Sequence, residues 1–201
     1  MEVDYANILE KSIRYRMVKK ESAKLTRQDW IDQGLKTLSE TGVETVRIEP
    51  LAKRMGVTKG SFYWHFKNRE DFLDAILQEW VNCQTNSIIE KVEALGGDAV
   101  TKLLYLFELA VQDDGRAENA IRAWATVDAK IMSVLARVDQ RRLDYTKDLF
   151  LQAHFTPFEA MVRARMVYYA LVGEFAIGTR SDQTERLAEI RLQHAILTHR
   201  N

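Results

Sequence analysis

Apolar residues recur at three- and four-residue intervals along most of this chain, and glycines, prolines and capping residues interrupt them. Ile31, Leu35 and Leu38 fall on one face of a first predicted helix that ends at Gly42. Thr26 with Asp29 reads as a capping box at its start, and Leu25 with Trp30 sits where a hydrophobic staple would. A second helix beginning near Ile48 keeps Pro50 in its first turn, where a missing N–H is tolerated. Gly56 then offers positive φ for a sharp turn, and Thr58 offers an N-cap oxygen to a third helix. On 3.6-residue spacing Phe62 and Phe66 share a face suited to burial against Leu35, Leu38 and Leu51, while Lys59, Gly60, Tyr63 and Lys67 lie toward another. One face packs and the other is left to read a partner.

The same periodicity continues. Asn68, with Glu70 and Asp71 in the first turn, opens a fourth helix through Phe72, Ile76, Trp80 and Cys83 to about residue 94. Gly96-Gly97 breaks it, and Asp98 caps a fifth helix carrying Leu103, Leu104, Phe107 and Val111, ended by Asp113-Asp114-Gly115. A short sixth helix holds Ile121 and Trp124, and a long seventh runs from about Thr126 to His154. Thr156-Pro157-Phe158-Glu159 combines N-cap, first-position proline and an acid, opening an eighth helix that lasts to about Gly178. Asp182 and Glu185 repeat the pattern before a ninth, striped by Leu187, Ile190, His194 and Leu197. No segment alternates as strands do, so the expected class is all-α with about nine helices.

Two short helices meeting at a tight glycine turn form a helix-turn-helix, whose second helix can enter DNA. Lys59, Gly60 and Ser61 lie at that helix's start, where free N–H groups and the helix dipole favour phosphate. Gly60 removes a side chain where backbone can approach DNA, and Tyr63 and His65 offer polar tips. Charge agrees. The 201 residues carry 29 bases and 29 acids, yet residues 1–69 hold 14 Lys plus Arg against 9 acids, a surplus of five bases that the remainder reverses.

At this point the chain closely resembles the TetR family of bacterial transcriptional regulators. The resemblance rests on Gly42, Thr45, Val46, Arg47, Ile48, Leu51 to Val57, Lys59 to Phe66, Asn68, Glu70 and Leu73, is specific over roughly residues 26–75, and is looser beyond. It implies a three-helix DNA-binding domain followed by a helical domain for ligand binding and dimerisation. The expected division is a basic extension at 1–25, a helix-turn-helix domain at 26–71 and the second domain at 72–201. Residues 1 to about 24 fit either a solvated terminus or an arm on the DNA backbone or minor groove. The residues expected at DNA are Thr45, Arg47, Thr58, Lys59, Gly60, Ser61, Tyr63, Trp64, His65 and Lys67.

Small residues on the eighth helix let another helix approach, and both last helices are apolar on more than one face, which calls for cover by a partner chain. In the resembled family the last two helices of each subunit form a four-helix dimer interface. Ala160, Ala164, Ala170, Gly173, Ile177, Leu187, Ile190, His194 and Leu197 are the expected contacts, and completion of the monomer core is the competing role. Trp80, Phe107, Trp124, Met161, Tyr168 and Tyr169, with Arg165 as a charged anchor, are candidate walls of an effector pocket, although each taken singly fits ordinary core.

Cys83 is the single cysteine, so an internal disulfide is excluded, and the four histidines lack metal-site spacing. No metal or cofactor is expected. Phosphate loops, nucleophile elbows and paired-carboxylate sites are missing, so catalysis has no support. With no signal-peptide core and no run of about 18 apolar residues, the expected location is the cytoplasm, away from membranes. The expected function is a homodimeric repressor that leaves a pseudo-palindromic operator in double-stranded DNA when a small-molecule effector binds. Two alternatives stand beside it: a constitutive DNA-binding regulator without ligand, and a helical enzyme or carrier whose pocket is its function.

Overall fold

A computed structural model describes residues 25–178 and 182–199, so the basic extension lies outside the described residues except for Leu25. Every regular element among them is helical. Helix α1 (Arg27–Thr41) starts at the expected capping box: Thr26 Oγ1 accepts from the Asp29 N–H, and the Asp29 carboxylate accepts from the Thr26 N–H at 2.8 Å. It ends at Gly42, whose φ of +84° carries the chain into a 3₁₀ turn, Val43–Thr45. Helix α2 (Ile48–Arg54) carries Pro50 in its first turn. Gly56, at φ +69°, then turns the chain so that the Val57 N–H reaches the Ala52 carbonyl at 3.0 Å.

Helix α3 (Lys59–Tyr63) is a single turn and a half, shorter than the aromatic run implies, because the N–H groups of His65 and Phe66 both return to the Phe62 carbonyl and close a turn there. Thr58 occupies the N-cap position with extended backbone, yet its side chain makes no capping bond, contrary to expectation. Helix α4 is a long rod in three parts: Arg69–Val81, a π-helical segment Asn82–Asn86, and Ser87–Leu95. Asn68 caps it as expected, accepting from the Asp71 N–H at 2.9 Å. The π segment has no signature in the apolar spacing.

Beyond the rod come α5 (Ala99–Ala110), α6 (Arg116–Ala125), α7 (Ala129–Gln152), α8 (Pro157–Ile177) and α9 (Gln183–Thr198). Asp98, Thr156 and Asp182 cap α5, α8 and α9 as the sequence implies. Helix α7 begins three residues later than expected, because the Asp128 carboxylate accepts from the N–H groups of Lys130 and Ile131 and fixes the start there.

Two apolar cores hold these helices together. The first gathers Trp30, Leu38, Phe62, Phe66, Phe72, Ile76 and Trp80 with Ile121, Trp124, Ile131 and Leu135 from α6 and α7. Edge-on ring contacts tie it: Phe62 lies 5.3 Å from Trp30 and 5.3 Å from Phe72, centroid to centroid. This core runs across the expected boundary at residues 71 and 72, so the helix-turn-helix is seated on α6 and α7 as well as on α4. The second core joins Leu103, Phe107, Leu149, Phe150, Ala160, Ala164 and Ile190 from α5, α7, α8 and α9.

Candidate DNA-binding face and cavity

The helix-turn-helix presents one polar face whose shape is set from beneath. Phe62 and Phe66 are buried, whereas Lys59, Gly60 and Tyr63 are exposed. Arg69 braces the framework, donating from Nε to the Val46 carbonyl at 2.8 Å and from Nη2 to the Val43 carbonyl at 2.7 Å. That role was not visible in the sequence, because its acceptors are main-chain carbonyls more than 20 positions away.

Of the residues expected at DNA, Thr45, Arg47, Thr58, Lys59, Gly60, Tyr63, Trp64 and Lys67 are exposed, and Trp64 is the most exposed aromatic among them at 77%. Tyr63 beside it is 58% exposed. Lys59 pairs with Glu49 of α2, so a phosphate would compete with that carboxylate for it. Arg47 donates to the Glu44 carbonyl, and the Thr45 hydroxyl to the Gly42 carbonyl. Ser61 and His65 are half-buried, and His65 Nε2 lies 3.0 Å from the Leu25 carbonyl, which holds the ring against the start of α1. His65 is therefore turned back into the domain instead of outward as a polar tip.

The second feature is a cavity bounded by the π segment of α4 and by α5, α7 and α8. Its walls are mostly apolar, formed by Trp80, Ile88, Ile89, Leu106, Phe107, Val167, Leu171 and Phe175. Trp80, Phe107 and Tyr168 line it as expected; Trp124, Met161, Arg165 and Tyr169 do not. Trp124 is used in the first core, and Arg165 and Tyr169 project outward, Tyr169 being 60% exposed. Helical spacing alone could not tell which side of α8 faces inward, since that helix is apolar on several sides.

A partly buried charge network stands at the polar end. Glu118 of α6 is paired with Arg142 of α7 at 3.0 Å, and Arg122 of α6 with Asp139 of α7 at 2.8 Å. Arg142 also donates to the Thr85 hydroxyl at 2.9 Å and to the Gln84 carbonyl at 3.2 Å, and its guanidinium lies 5.3 Å from the Trp80 ring. Tyr168 donates to Asp139 at 2.6 Å and accepts from Arg122 at 2.8 Å. Burial works to lower the basicity of Arg142, but the charge of Glu118 overcomes it and the group is held raised. Burial pushes the Tyr168 phenol up, reinforced by Asp139, so it stays protonated. Of these residues Trp80 and Tyr168 are the sequence candidates for the pocket; the Arg122–Asp139 and Arg142–Glu118 pairs join partners 17 and 24 positions apart on different helices.

The expected dimer contacts divide. Ala160 and Ala164 are fully buried within the monomer, Ile190 is 7% exposed, Leu187 and Leu197 pack on the second core, and His194 bonds the Val100 carbonyl at 2.8 Å. Those six serve the subunit's own core. Ala170 and Ile177 are exposed, and a Cβ at Gly173 would meet open space. On α8 the outward stripe is Phe158, Val162, Met166, Tyr169, Gly173 and Ile177; on α9, Leu192 and Ile196 are 62% and 64% exposed.

Comparison with known proteins agrees with this architecture. Residues 31–76 match the family model described as bacterial regulatory proteins, tetR family. The HTH-type transcriptional regulator AcrR of Shigella flexneri is 40% identical over 57 residues, 28% of this chain and 26% of that protein, so the matched stretch spans about a quarter of the curated relative. Among solved structures, the TetR-family transcriptional regulator SCO4454 of Streptomyces coelicolor superposes with a TM-score of 0.70 at 16% identity, covering 86% of this chain and 93% of that one. The transcriptional regulator FadR of Bacillus subtilis in complex with stearoyl-CoA superposes at 0.65 and 17% identity, covering 86% and 98%. These two likenesses concern the fold.

Proposed function

The chain belongs to the tetR family of bacterial regulatory proteins, and from that premise we propose that it is a homodimeric, ligand-responsive DNA-binding regulator, acting as a repressor that a small molecule releases from its operator. One observation carries the reading: a single rod serves both ends. Phe72, Ile76 and Trp80 of α4 pack in the core that seats α3, while Trp80, Gln84, Thr85, Ile88 and Ile89 of the same rod line the cavity. A ligand that binds better when the rod is displaced draws the helix-turn-helix with it, and the population moves to a conformer whose two recognition helices no longer match their half-sites.

Support for the dimer is the outward apolar stripe of α8 and α9, which water covers poorly and a second copy would cover by two-fold symmetry. Native mass spectrometry of the purified chain, followed by DNA titrations with the compound it releases, tests the reading. A dimer whose DNA affinity falls when that compound is added supports it. Unchanged affinity with the compound bound removes the ligand response, and failure to bind DNA at all removes the whole reading.

A further inference from the structure

The charged side chains bordering the cavity, among the described residues, are Asp113, Glu118, Glu174 and Arg142. Glu118 is buried and pairs with Arg142 at 3.0 Å and Arg122 at 2.7 Å, while Glu174 pairs with Arg186. Asp113 differs. It is half-buried and forms no ion pair among the described residues. Its carboxylate accepts from two neutral donors, the Gln84 side-chain amide at 2.7 Å and the Gly115 N–H at 2.7 Å. The nearby arginines are used elsewhere: Arg186 reaches only the Asp113 main-chain carbonyl, at 3.4 Å, and Arg116 pairs with Asp114.

An aromatic ring stands beside this carboxylate. A Cβ at Gly115 would lie 2.4 Å from ring carbons of Phe175, so the ring packs against the same residue whose N–H holds Asp113. Phe175 and Asp113 both line the cavity. The ring quadrupole and the carboxylate charge attract a cation together, and apolar walls weaken that attraction less than water does. An anion meets the opposite situation. Arg142, the cation on the wall, has Nη1 on Glu118, Nε on Thr85 and Nη2 on the Gln84 carbonyl.

We infer that the cavity takes an organic cation, an ammonium group on an apolar body, whose charge meets Asp113 beside Phe175. This rests on the cavity being the effector site. The same contact reaches the rod, because Gln84 belongs to the π segment of α4 and a cation on Asp113 competes with its amide.

Calorimetric titration of the full-length chain at neutral pH with octylamine, octanol and octanoate compares a cation, a neutral molecule and an anion on one flexible apolar chain. Octylamine, protonated there, should bind about tenfold more tightly than octanol, and octanoate should bind weakest. Asp113→Asn keeps an oxygen for Gln84 and Gly115 but removes the charge, so octylamine should fall level with octanol, with circular dichroism checking that the variant folds. Ala110→Phe, which fills the cavity from the α5 wall, should abolish binding of all three. An amine preference unchanged in Asp113→Asn, or octanoate or octanol binding best, would overturn the inference; if that binding is lost in Ala110→Phe, the cavity still stands as the ligand site. Binding that survives Ala110→Phe, or no binding of any probe, would overturn the inference together with the cavity's role.

Discussion

The guanidinium of Arg142 donates from Nη2 to the main-chain carbonyl of Gln84, 3.2 Å away, and Gln84 lies inside the π-helical segment that interrupts α4. A π turn disturbs the regular ladder of backbone bonds, and such turns are frequent at functional sites. Here the irregular stretch is gripped by the same arginine that pairs with Glu118 at the cavity. The register of the rod is therefore tied to the cavity's charge network. Arg142→Met removes one of the two guanidinium partners of buried Glu118, leaving Arg122 at 2.7 Å, and frees the Thr85 hydroxyl and Gln84 carbonyl of their donor, which should cost about 1–3 kcal/mol. A urea melt of the full chain should show the loss as a lowered midpoint. An unchanged midpoint would mean that Arg142 is not integral to the buried network.

The outward stripe of α8 and α9 separates assembly from folding. Met166→Glu and Leu192→Glu each place a charge on an exposed apolar face, so sedimentation should show monomers with helix content preserved. Ala164→Leu acts otherwise: Ala164 is fully buried in the second core, so added volume should destabilise the fold by about 1–3 kcal/mol. Dimers that persist in both glutamate variants would place the interface elsewhere.

Within the helix-turn-helix, Phe62 is fully buried and meets Trp30, Phe66 and Phe72 ring to ring. Phe62→Ala should lower stability by about 3–5 kcal/mol, read as a shifted thermal or denaturant transition together with lost DNA binding. Lys59→Ala should leave the transition in place and reduce the salt slope of DNA binding by up to about one phosphate equivalent.

How much of this was legible in the sequence follows from the range of the interactions. Capping residues act over three positions, so Thr26, Asn68, Asp98, Thr156 and Asp182 mark true helix starts. Apolar spacing placed Phe62 and Phe66 inside. It could not orient α8, which is apolar on several sides, and so Ala160 and Ala164 were assigned to a surface they do not reach, while Phe158, Met166 and Tyr169 were missed as its stripe. The cavity's polar end escaped for another reason. Arg142, Glu118, Thr85 and Gln84 come from three helices, and only the packing of α4, α6 and α7 brings them together.

Acid should loosen the start of α8. The N–H of Thr156 and then its hydroxyl hold the Glu159 carboxyl below its ordinary value. A carboxylate with a depressed folded value contributes stability that is complete above its unfolded value, and this is lost as pH falls through the folded one. Glu159→Gln, which removes the titrating carboxyl, should therefore reduce the slope of stability against pH on the acid side, measured by denaturant midpoints across that range. An identical slope in the variant would show that the capping box carries none of the acid sensitivity.

The central claim is that two copies of this chain present paired recognition helices to one face of DNA. Selection of bound duplexes from a random-sequence DNA pool by the full-length chain tests it most directly. The account predicts enrichment of a pseudo-palindrome whose half-sites lie one or more helical turns apart, bound by a dimer. Enrichment of a single unrepeated site bound by a monomer, or no enrichment above the starting pool, would contradict it.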